Sequence, residues 1–249
     1  MPRIVSPYDL TLEQTGACPS FLAMARLVPH ILDASGDLEA LLVPLLDGLA
    51  RAEAAAKAVV EIPPTDVVIR VWPQAAIAAD GVGGFCPRRR EIEVALDPDN
   101  PALSLGPGSA YERTIIHELH HVLRRDRAGY GETLGEALVS EGLAGHFVVQ
   151  TLGTAPEPWE QAVAQDELRH WARRAMLDWR SRNYDHSDWF FGHGEKPLWL
   201  GYALGFAVVA DYLDAHRISG TGALADKPVS YFVPHLAAIA RGARRAAAE

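Results

Sequence analysis

The sequence predicts an α+β fold that is mostly helical, with a small sheet in its N-terminal half. Alternation of apolar and polar residues, which is typical of strands, occurs between residues 66 and 96. Helical periodicity with start and stop signals covers most of the rest. We expect one domain over residues 1–249, with the sheet packed behind the first helix that follows it.

The N-terminal region, residues 1–62, is predicted to be helical. Residues 18–60 read as two or three helices, and one of them is expected to be broken near Pro44 because proline lacks the N–H that a helix interior uses. Pro63 and Pro64 end this region.

Residues 63–153 are predicted to contain the sheet and two central helices. Three segments have the character of strands: 66–72, 81–86 and 91–96. Two capping boxes, Ser109 with Glu112 and Thr133 with Glu136, predict where the helices begin, and glycines end both of them.

Residues 154–249 are predicted to form a helical C-terminal lobe. Pro158 begins a long helix to about residue 182, and a loop rich in His, Asp and aromatic residues covers 183–196. Pro197 begins a buried helix, and a final helix follows it. The apolar run 197–210 has only fourteen residues, too few to span a bilayer.

Composition excludes several classes of function. With 249 residues, 49% of them hydrophobic, the chain can bury a large core, and disorder is not expected. The net charge is −9 and the basic residues are scattered, so we expect no nucleic-acid partner and read Arg88–Arg90 as a solvated turn. The N-terminus has no signal-peptide pattern, and the two cysteines, Cys18 and Cys86, read as free thiols. We therefore expect a cytoplasmic protein without a membrane partner.

The residues that carry chemistry are His117, Glu118 and His121, in the sequence His-Glu-Leu-His-His of the first central helix. Positions i and i+4 share one helix face, so both imidazoles can reach one ion while the carboxylate between them points at its edge. A catalytic zinc ion takes three protein ligands and leaves a place for water, whose proton a nearby carboxylate accepts. The pattern predicts one zinc ion per chain, with Glu118 as the general base.

The predicted third ligand is Glu141. It lies in the middle of the apolar stripe of the second central helix, and a buried carboxylate needs a partner. Glu136 and His146 project from roughly the other side of that helix, which makes them poor co-ligands. His120 lies beside the ligands in sequence, but the i,i+4 spacing favours His121.

At this point the sequence resembles the gluzincins, zincin metallopeptidases that bind zinc through two His of H-E-x-x-H and a downstream Glu. More narrowly, H-E-L-H-H, S-E-G-L-A-G-H-F at 140–147 and G-Y-A-L-G-F at 201–206 resemble a family of predicted Zn-dependent proteases. The resemblance covers roughly residues 80–240 and implies a zincin-like metalloprotease fold.

The resemblance also implies roles for particular residues, with His117, His121 and Glu141 as zinc ligands and Glu118 as the base. One position departs from the thermolysin-like pattern. That pattern has an Asp four residues after the ligand Glu, where this chain has Gly145. Support for the ligands must then come from elsewhere or be absent.

A substrate-binding strand can also be suggested. In zincins the strand that faces the cleft is an unpaired sheet edge to which an extended peptide can add. The candidate here is Gly83, Gly84 and Phe85. The alternative is that these glycines only build a tight hairpin bulge.

The leading functional hypothesis is a zinc metallopeptidase that hydrolyses peptide bonds by Glu118-assisted attack of zinc-bound water. Tyr202, in G-Y-x-x-G, and His193, in the preceding loop, are candidate donors to the oxyanion. Alternatively, Tyr202 is a core aromatic on a helix that Gly201 and Gly205 let pack closely, and His193 is an exposed loop residue.

Two other functions stay open. A catalytically silent, zinc-stabilised binding or regulatory module would not need Glu118, and a structural zinc usually has four protein ligands. A zinc hydrolase of a small amide or ester would differ from a peptidase in its cleft, since an open groove favours peptides and a closed pit favours small molecules. We expect a peptide or protein as the partner, and the sequence leaves the oligomeric state open.

Overall fold

A computed structural model describes residues 25–242 of the chain. Four strands are present: β1 Leu27–Leu32, β2 Thr65–Val71, β3 Val82–Arg88 and β4 Glu91–Leu96. The helices are α1 Leu42–Lys57, α2 Ala110–Arg125, α3 Leu134–Leu152, α4 Gln165–Asp178, α5 His186–Phe191, α6 Leu200–His216 and α7 Val233–Arg241. The fold is α+β and mostly helical, as the sequence predicted. Cys18 lies outside the described residues.

The strands form one mixed sheet in the order β1-β2-β4-β3. β1, β2 and β4 are parallel, whereas β3 runs antiparallel to β4 at the edge of the sheet. Pro87 lies in β3, where the pairing with β4 shifts register between Phe85 and Arg88. An edge strand accepts a proline because its outward N–H is not needed for the ladder.

The prediction of a wholly helical N-terminal region was wrong for β1. This strand pairs in parallel with β2, from Leu27 opposite Thr65 to Leu32 opposite Arg70. It shows no clean alternation in burial, so it has no strong strand signal of its own. The expected break at Pro44 is also wrong, because Pro44 lies in the first turn of α1, where a missing N–H is tolerated.

The C-terminal half contains more interruptions than predicted. Pro158 begins a short 3-10 turn, Pro158–Gln161, and α4 follows as a separate helix. The predicted loop at 183–196 contains α5, whose first turn is capped by the carboxylate of Asp185. Within residues 25–242, no helix has the length and apolar character needed to cross a membrane.

Two apolar clusters build the core, and α3 belongs to both. One cluster joins the sheet to α1 and α2, and the other joins α3 to α4, α6 and α7. The first half of α3 packs in the second cluster, while Phe147 and Val148 pack in the first. α2 and α3 therefore meet where the two clusters meet.

The predicted starts of α2 and α3 are correct, but only one capping box forms. Thr133 and Glu136 exchange both hydrogen bonds of the box. Ser109 caps α2 without a side-chain bond. The carboxylate of Glu112 accepts from the N–H of Gly108 at 2.7 Å and pairs with Arg51 rather than with the backbone of Ser109.

Glycines allow α3 and α6 to touch through their backbones. A Cβ on Gly142 would lie 2.2 Å from the carbonyl oxygen of Gly205, and one on Gly205 would lie 2.1 Å from that of Leu138. Neither position has room for a larger side chain. This contact brings Tyr202, near the start of α6, towards Glu141 on α3.

Candidate metal centre

The two helices α2 and α3 bring three predicted ligands together. Ile115, Leu119 and Val122 bury the core-facing side of α2, which leaves His117 and His121 on the other side, with ring centroids 4.8 Å apart. Oε2 of Glu141 lies 3.1 Å from Nε2 of His117, and Oε1 of the same residue lies 3.4 Å from Nε2 of His121.

The geometry of this group fits a single zinc ion. The ligand atoms of His117, His121 and Glu141 all lie within 4.8 Å of one another. Ligands at about 2.1 Å in a tetrahedral arrangement are separated by roughly 3.4 Å, close to the distances of 3.1 and 3.4 Å from Glu141 to the two imidazoles. Two imidazoles and one carboxylate are also the donors of several catalytic zinc sites.

The charges of the group are strongly coupled. Burial alone lowers the pKa of His117, but its hydrogen bond to Glu141 and the charges of Glu141 and Glu118 raise it to about 9. Burial tends to raise the pKa of Glu141, but His121 and His117 outweigh it and hold that pKa far below its usual range. Glu141 is thus held as a carboxylate, the form that binds a metal ion.

Glu118 lies beside this group but is not part of it. Its side chain is only 6% exposed, and Oε2 has no hydrogen-bond partner among the described residues. Burial raises the pKa of Glu118, while the charges of His121 and His117 oppose that rise. A buried, unpaired carboxylate oxygen beside a metal site can accept a proton from water.

Two tyrosines border the same group. Burial and the charges of Glu141 and Glu118 raise the pKa of Tyr202 well above 10, so its hydroxyl remains a donor. The hydroxyl of Tyr130 lies 3.4 Å from Oε1 of Glu141, and its ring packs 4.7 Å from that of His121. Sequence reasoning missed Tyr130 because Gly129 and Gly131 around it were used only as a helix stop signal.

A cavity of about 280 Å³ opens beside the candidate ligands. His117, Glu118 and Tyr202 line it on one side, and Gly84 of β3 lines it on another. A Cβ on Gly84 would lie 2.3 Å from Cγ2 of Thr114 and 3.1 Å from Cγ of Glu118, so the glycine lets β3 approach α2 directly.

Three further aromatic residues line the cavity. Trp159 and Trp199 meet edge to face with ring centroids 6.2 Å apart, and Phe191 lies nearby with 41% of its surface exposed. Arg113 also lines the cavity, but its charge is paired with Glu157. The cavity thus offers apolar surface next to His117 and Glu118.

Several other predicted residues lie elsewhere. His193 is exposed and does not line the cavity, although its ring is 6.0 Å from that of Phe191. Gly83 packs against the backbone of Ala75, and Phe85 contacts Trp72 rather than the cavity.

The two histidines judged to be poor ligands lie outside the group. His120 is fully buried, and its ring packs 5.3 Å from that of Phe147. His146 stacks on Phe206 and bonds its carbonyl oxygen at 3.0 Å.

The fold and the site together define an α+β protein with a possible His-His-Glu metal-binding group between two central helices. The chain belongs to the family described as Predicted Zn-dependent protease (DUF2268), which matches residues 53–230. The Uncharacterized protein YjaZ of Bacillus subtilis (strain 168) is 30% identical over 112 residues, 42% of this chain. The match spans 43% of the length of YjaZ. No solved structure matches the chain.

Proposed function

We propose that this protein is a zinc metallopeptidase of the gluzincin type that hydrolyses peptide bonds. The observation that carries the proposal is the convergence of His117, His121 and Glu141, with the unpaired carboxylate of Glu118 beside them. Membership of a family of predicted Zn-dependent proteases supports it.

His117, His121 and Glu141 would hold the ion, and Glu118 would move protons. A zinc ion bound there would acidify a water molecule and polarise the scissile carbonyl. Glu118 accepts the proton of the attacking water at its unpaired Oε2 and then passes it to the nitrogen of the leaving amine. Burial raises its pKa, which brings the carboxylate closer to the basicity that proton transfer near neutral pH requires.

The two tyrosines would have different roles, Tyr202 towards the substrate and Tyr130 towards the metal ligands. Tyr202 lines the cavity with a protonated hydroxyl, which suits it to donate to the developing oxyanion. Tyr130 contacts Glu141 and the ring of His121, which suits it to hold both ligands in place.

The arrangement of β3 supports a peptide as the substrate. β3 is an edge strand that packs against α2, and Gly84 lies both on that edge and in the cavity wall. At Val82 the edge is already paired, because the N–H of Ile77 donates to the carbonyl oxygen of Val82 at 3.0 Å. Like Val82, Gly84 turns its N–H and C=O away from β4. Within residues 25–242, no backbone bond outside the sheet reaches Gly84, so an extended peptide can pair there. We infer that a bulky apolar side chain of this peptide enters the aromatic part of the cavity.

Metal analysis and peptide hydrolysis together test the proposal. Wild type should hold one zinc ion per chain after dialysis and cleave members of a mixed peptide library. Glu118→Gln should keep the zinc and lose nearly all hydrolysis, because an amide cannot accept the proton. His146→Gln removes a histidine outside the site and should change neither property.

Other results would favour the other functions. Hydrolysis of small esters or amides without cleavage of any peptide would indicate a small-molecule hydrolase. Bound zinc without hydrolysis of either kind would indicate a silent module. Absence of zinc from wild type, or full activity of Glu118→Gln, would contradict the proposal.

A further inference from the structure

A carboxylate from another segment occupies the space beside Gly145. Gly145 lies one helical turn after Glu141, on the same face of α3. A Cβ at Gly145 would lie 1.8 Å from Oε1 of Glu160, whereas its next nearest neighbour outside that residue, Phe206, would be 3.1 Å away. Glycine at this position therefore admits the Glu160 carboxylate to the ligand-bearing face of the helix.

Glu160 is buried, with 7% of its surface exposed. Its Oε2 accepts a hydrogen bond from the N–H of Glu157 at 2.7 Å, which closes a capping box of the 3-10 turn. Among the described residues, no hydrogen bond reaches Oε1. The carboxylate of a buried residue is costly unless a charge or a polar group lies near it.

The positive charge that acts on Glu160 is that of His117, in the candidate metal centre. Burial raises the pKa of Glu160 to about 7, and the charge of His117 opposes that rise. Glu160 in turn is one of the charges that raise the pKa of His117. No ion pair between the two is present in the described part of the chain, so the interaction acts through space or through a bridging water.

We propose that Glu160 is a positioning residue of the metal centre, which presents its carboxylate to His117 from the space that Gly145 leaves open. Metal-binding imidazoles generally have a carboxylate, carbonyl or water on their second nitrogen, which orients the ring and strengthens the bond to the metal. Glu160 would supply this support from the 3-10 turn. The proposal rests on the zinc site proposed above.

The charge of Glu160 can be separated from its capping role. Glu160→Gln keeps a side chain able to complete the capping box but removes the charge. Zinc affinity, measured by competition with a chelating dye, should fall about 10-fold, at the lower end of the range for residues that support metal ligands. Glu136→Gln makes the same change in the capping box of α3 and should leave zinc affinity unchanged.

Relocation of the carboxylate gives a second test. Glu160→Ala empties the space beside Gly145, and Gly145→Asp in the same chain then places a carboxylate there from α3. The double variant should recover most of the zinc affinity that Glu160→Ala loses. A residue that only caps the turn could not be replaced in this way.

The outcomes separate this inference from the proposed function. If wild type binds no zinc, the proposed function fails. If wild type binds zinc and Glu160→Gln binds it equally well, only the role of Glu160 fails. Weak binding by Glu160→Ala that Gly145→Asp does not restore, in folded protein by circular dichroism, would assign Glu160 to the cap alone and overturn the inference.

Discussion

Two carboxylates, those of Glu118 and Glu141, lie beside the same pair of histidines, and their surroundings give them different chemistry. Glu141 is hydrogen-bonded to His117 and lies 3.4 Å from His121, and these two imidazoles lower its pKa and hold it charged. Glu118 has an oxygen without a partner in the described chain, and burial raises its pKa. A pair of acids whose environments push their pKa values apart is the expected pattern for one ligand and one base.

The role of Tyr202 can be separated from simple packing. If its hydroxyl stabilises the oxyanion, Tyr202→Phe should lower kcat by roughly 100-fold with little change in KM, the loss typical of one such donor. Zinc content and thermal stability should stay close to wild type. A kcat near that of wild type would show that Tyr202 only packs against Phe190 and Phe191, with which its ring is in contact.

At this scale the sequence predicted residues that stand in a helical pattern or a motif, and it missed two that lie outside the regular helices. His117 and His121 share a helix face, so their proximity follows from helix geometry alone. Tyr130 and Glu160 reach the centre from a loop and a 3-10 turn, and no periodicity connects either of them to it. Their positions depend on how α3 packs against its neighbours.

At the scale of elements, the close contact between β3 and α2 controls the site. Gly84→Ala would place a Cβ 2.3 Å from Thr114 and 3.1 Å from Glu118. We expect the strand to move away from the helix, with a loss of about 1–3 kcal/mol in the free energy of unfolding and a lower kcat/KM. Denaturant unfolding and peptide hydrolysis measure both effects. Gly220→Ala, at a position with open space around it, is the control.

The contact between α1 and the start of β1 should depend on pH. Glu53 of α1 accepts bonds from the N–H groups of Arg26 and Leu27, at 3.0 and 2.8 Å, and so holds the start of β1. Burial tends to raise the pKa of Glu53, but its bonds from Lys57 and from these two N–H groups outweigh burial and lower it. A lowered pKa means that this contribution to stability is present at neutral pH and is lost as pH falls through the folded-state pKa.

Glu53→Gln should therefore be less stable than wild type at pH 7, by about 1–3 kcal/mol for bonds to a charged group. The difference should shrink below about pH 4.3, the ordinary pKa of Glu. Urea unfolding from pH 7 down to the lowest pH at which the protein folds measures it, with the exposed Glu61→Gln as control. A difference independent of pH would contradict the role assigned to the carboxylate.

The elements that sequence reasoning missed are those that depend on tertiary contacts. β1 has little alternation, and it is a strand because it pairs with β2 and is anchored by Glu53. The capping box at Ser109 does not form, and the Glu112 carboxylate bonds the N–H of Gly108 and pairs with Arg51 of α1 instead. By contrast, no basic side chain among residues 25–242 forms an ion pair with Glu136, and the box at Thr133 forms as predicted.

At the scale of the molecule, the site lies where two apolar clusters meet. The sheet cluster fixes α2 and its histidines, and the C-terminal cluster fixes α6 and Tyr202. α3 belongs to both clusters and carries Glu141 between them. The backbone contact at Gly142 and Gly205 leaves α3 and α6 little room to shift against each other, so the candidate ligand Glu141 and the candidate donor Tyr202 keep a fixed spacing.

The aromatic part of the cavity should determine which peptides are cleaved. Trp159 and Trp199 offer apolar surface beside the candidate catalytic groups, and burial of a large apolar side chain contributes about 1.5–3 kcal/mol. Trp159→Ala should therefore lower kcat/KM roughly 10- to 100-fold for peptides with Phe or Leu next to the cleaved bond. Peptides with Ala there should be affected little.

The prediction for Trp159→Ala is checked by its zinc content, by a control variant and by a comparison of Phe, Leu and Ala peptides. Zinc content of Trp159→Ala checks that the candidate metal centre, near the adjacent residue Glu160, is unchanged. Leu177→Ala removes an exposed apolar side chain, 79% accessible, outside the cavity and should leave the preference unchanged. An equal loss for Phe, Leu and Ala peptides in Trp159→Ala would mean that the tryptophan supports the turn rather than the substrate, and the apolar preference would then have to arise elsewhere on the cleft.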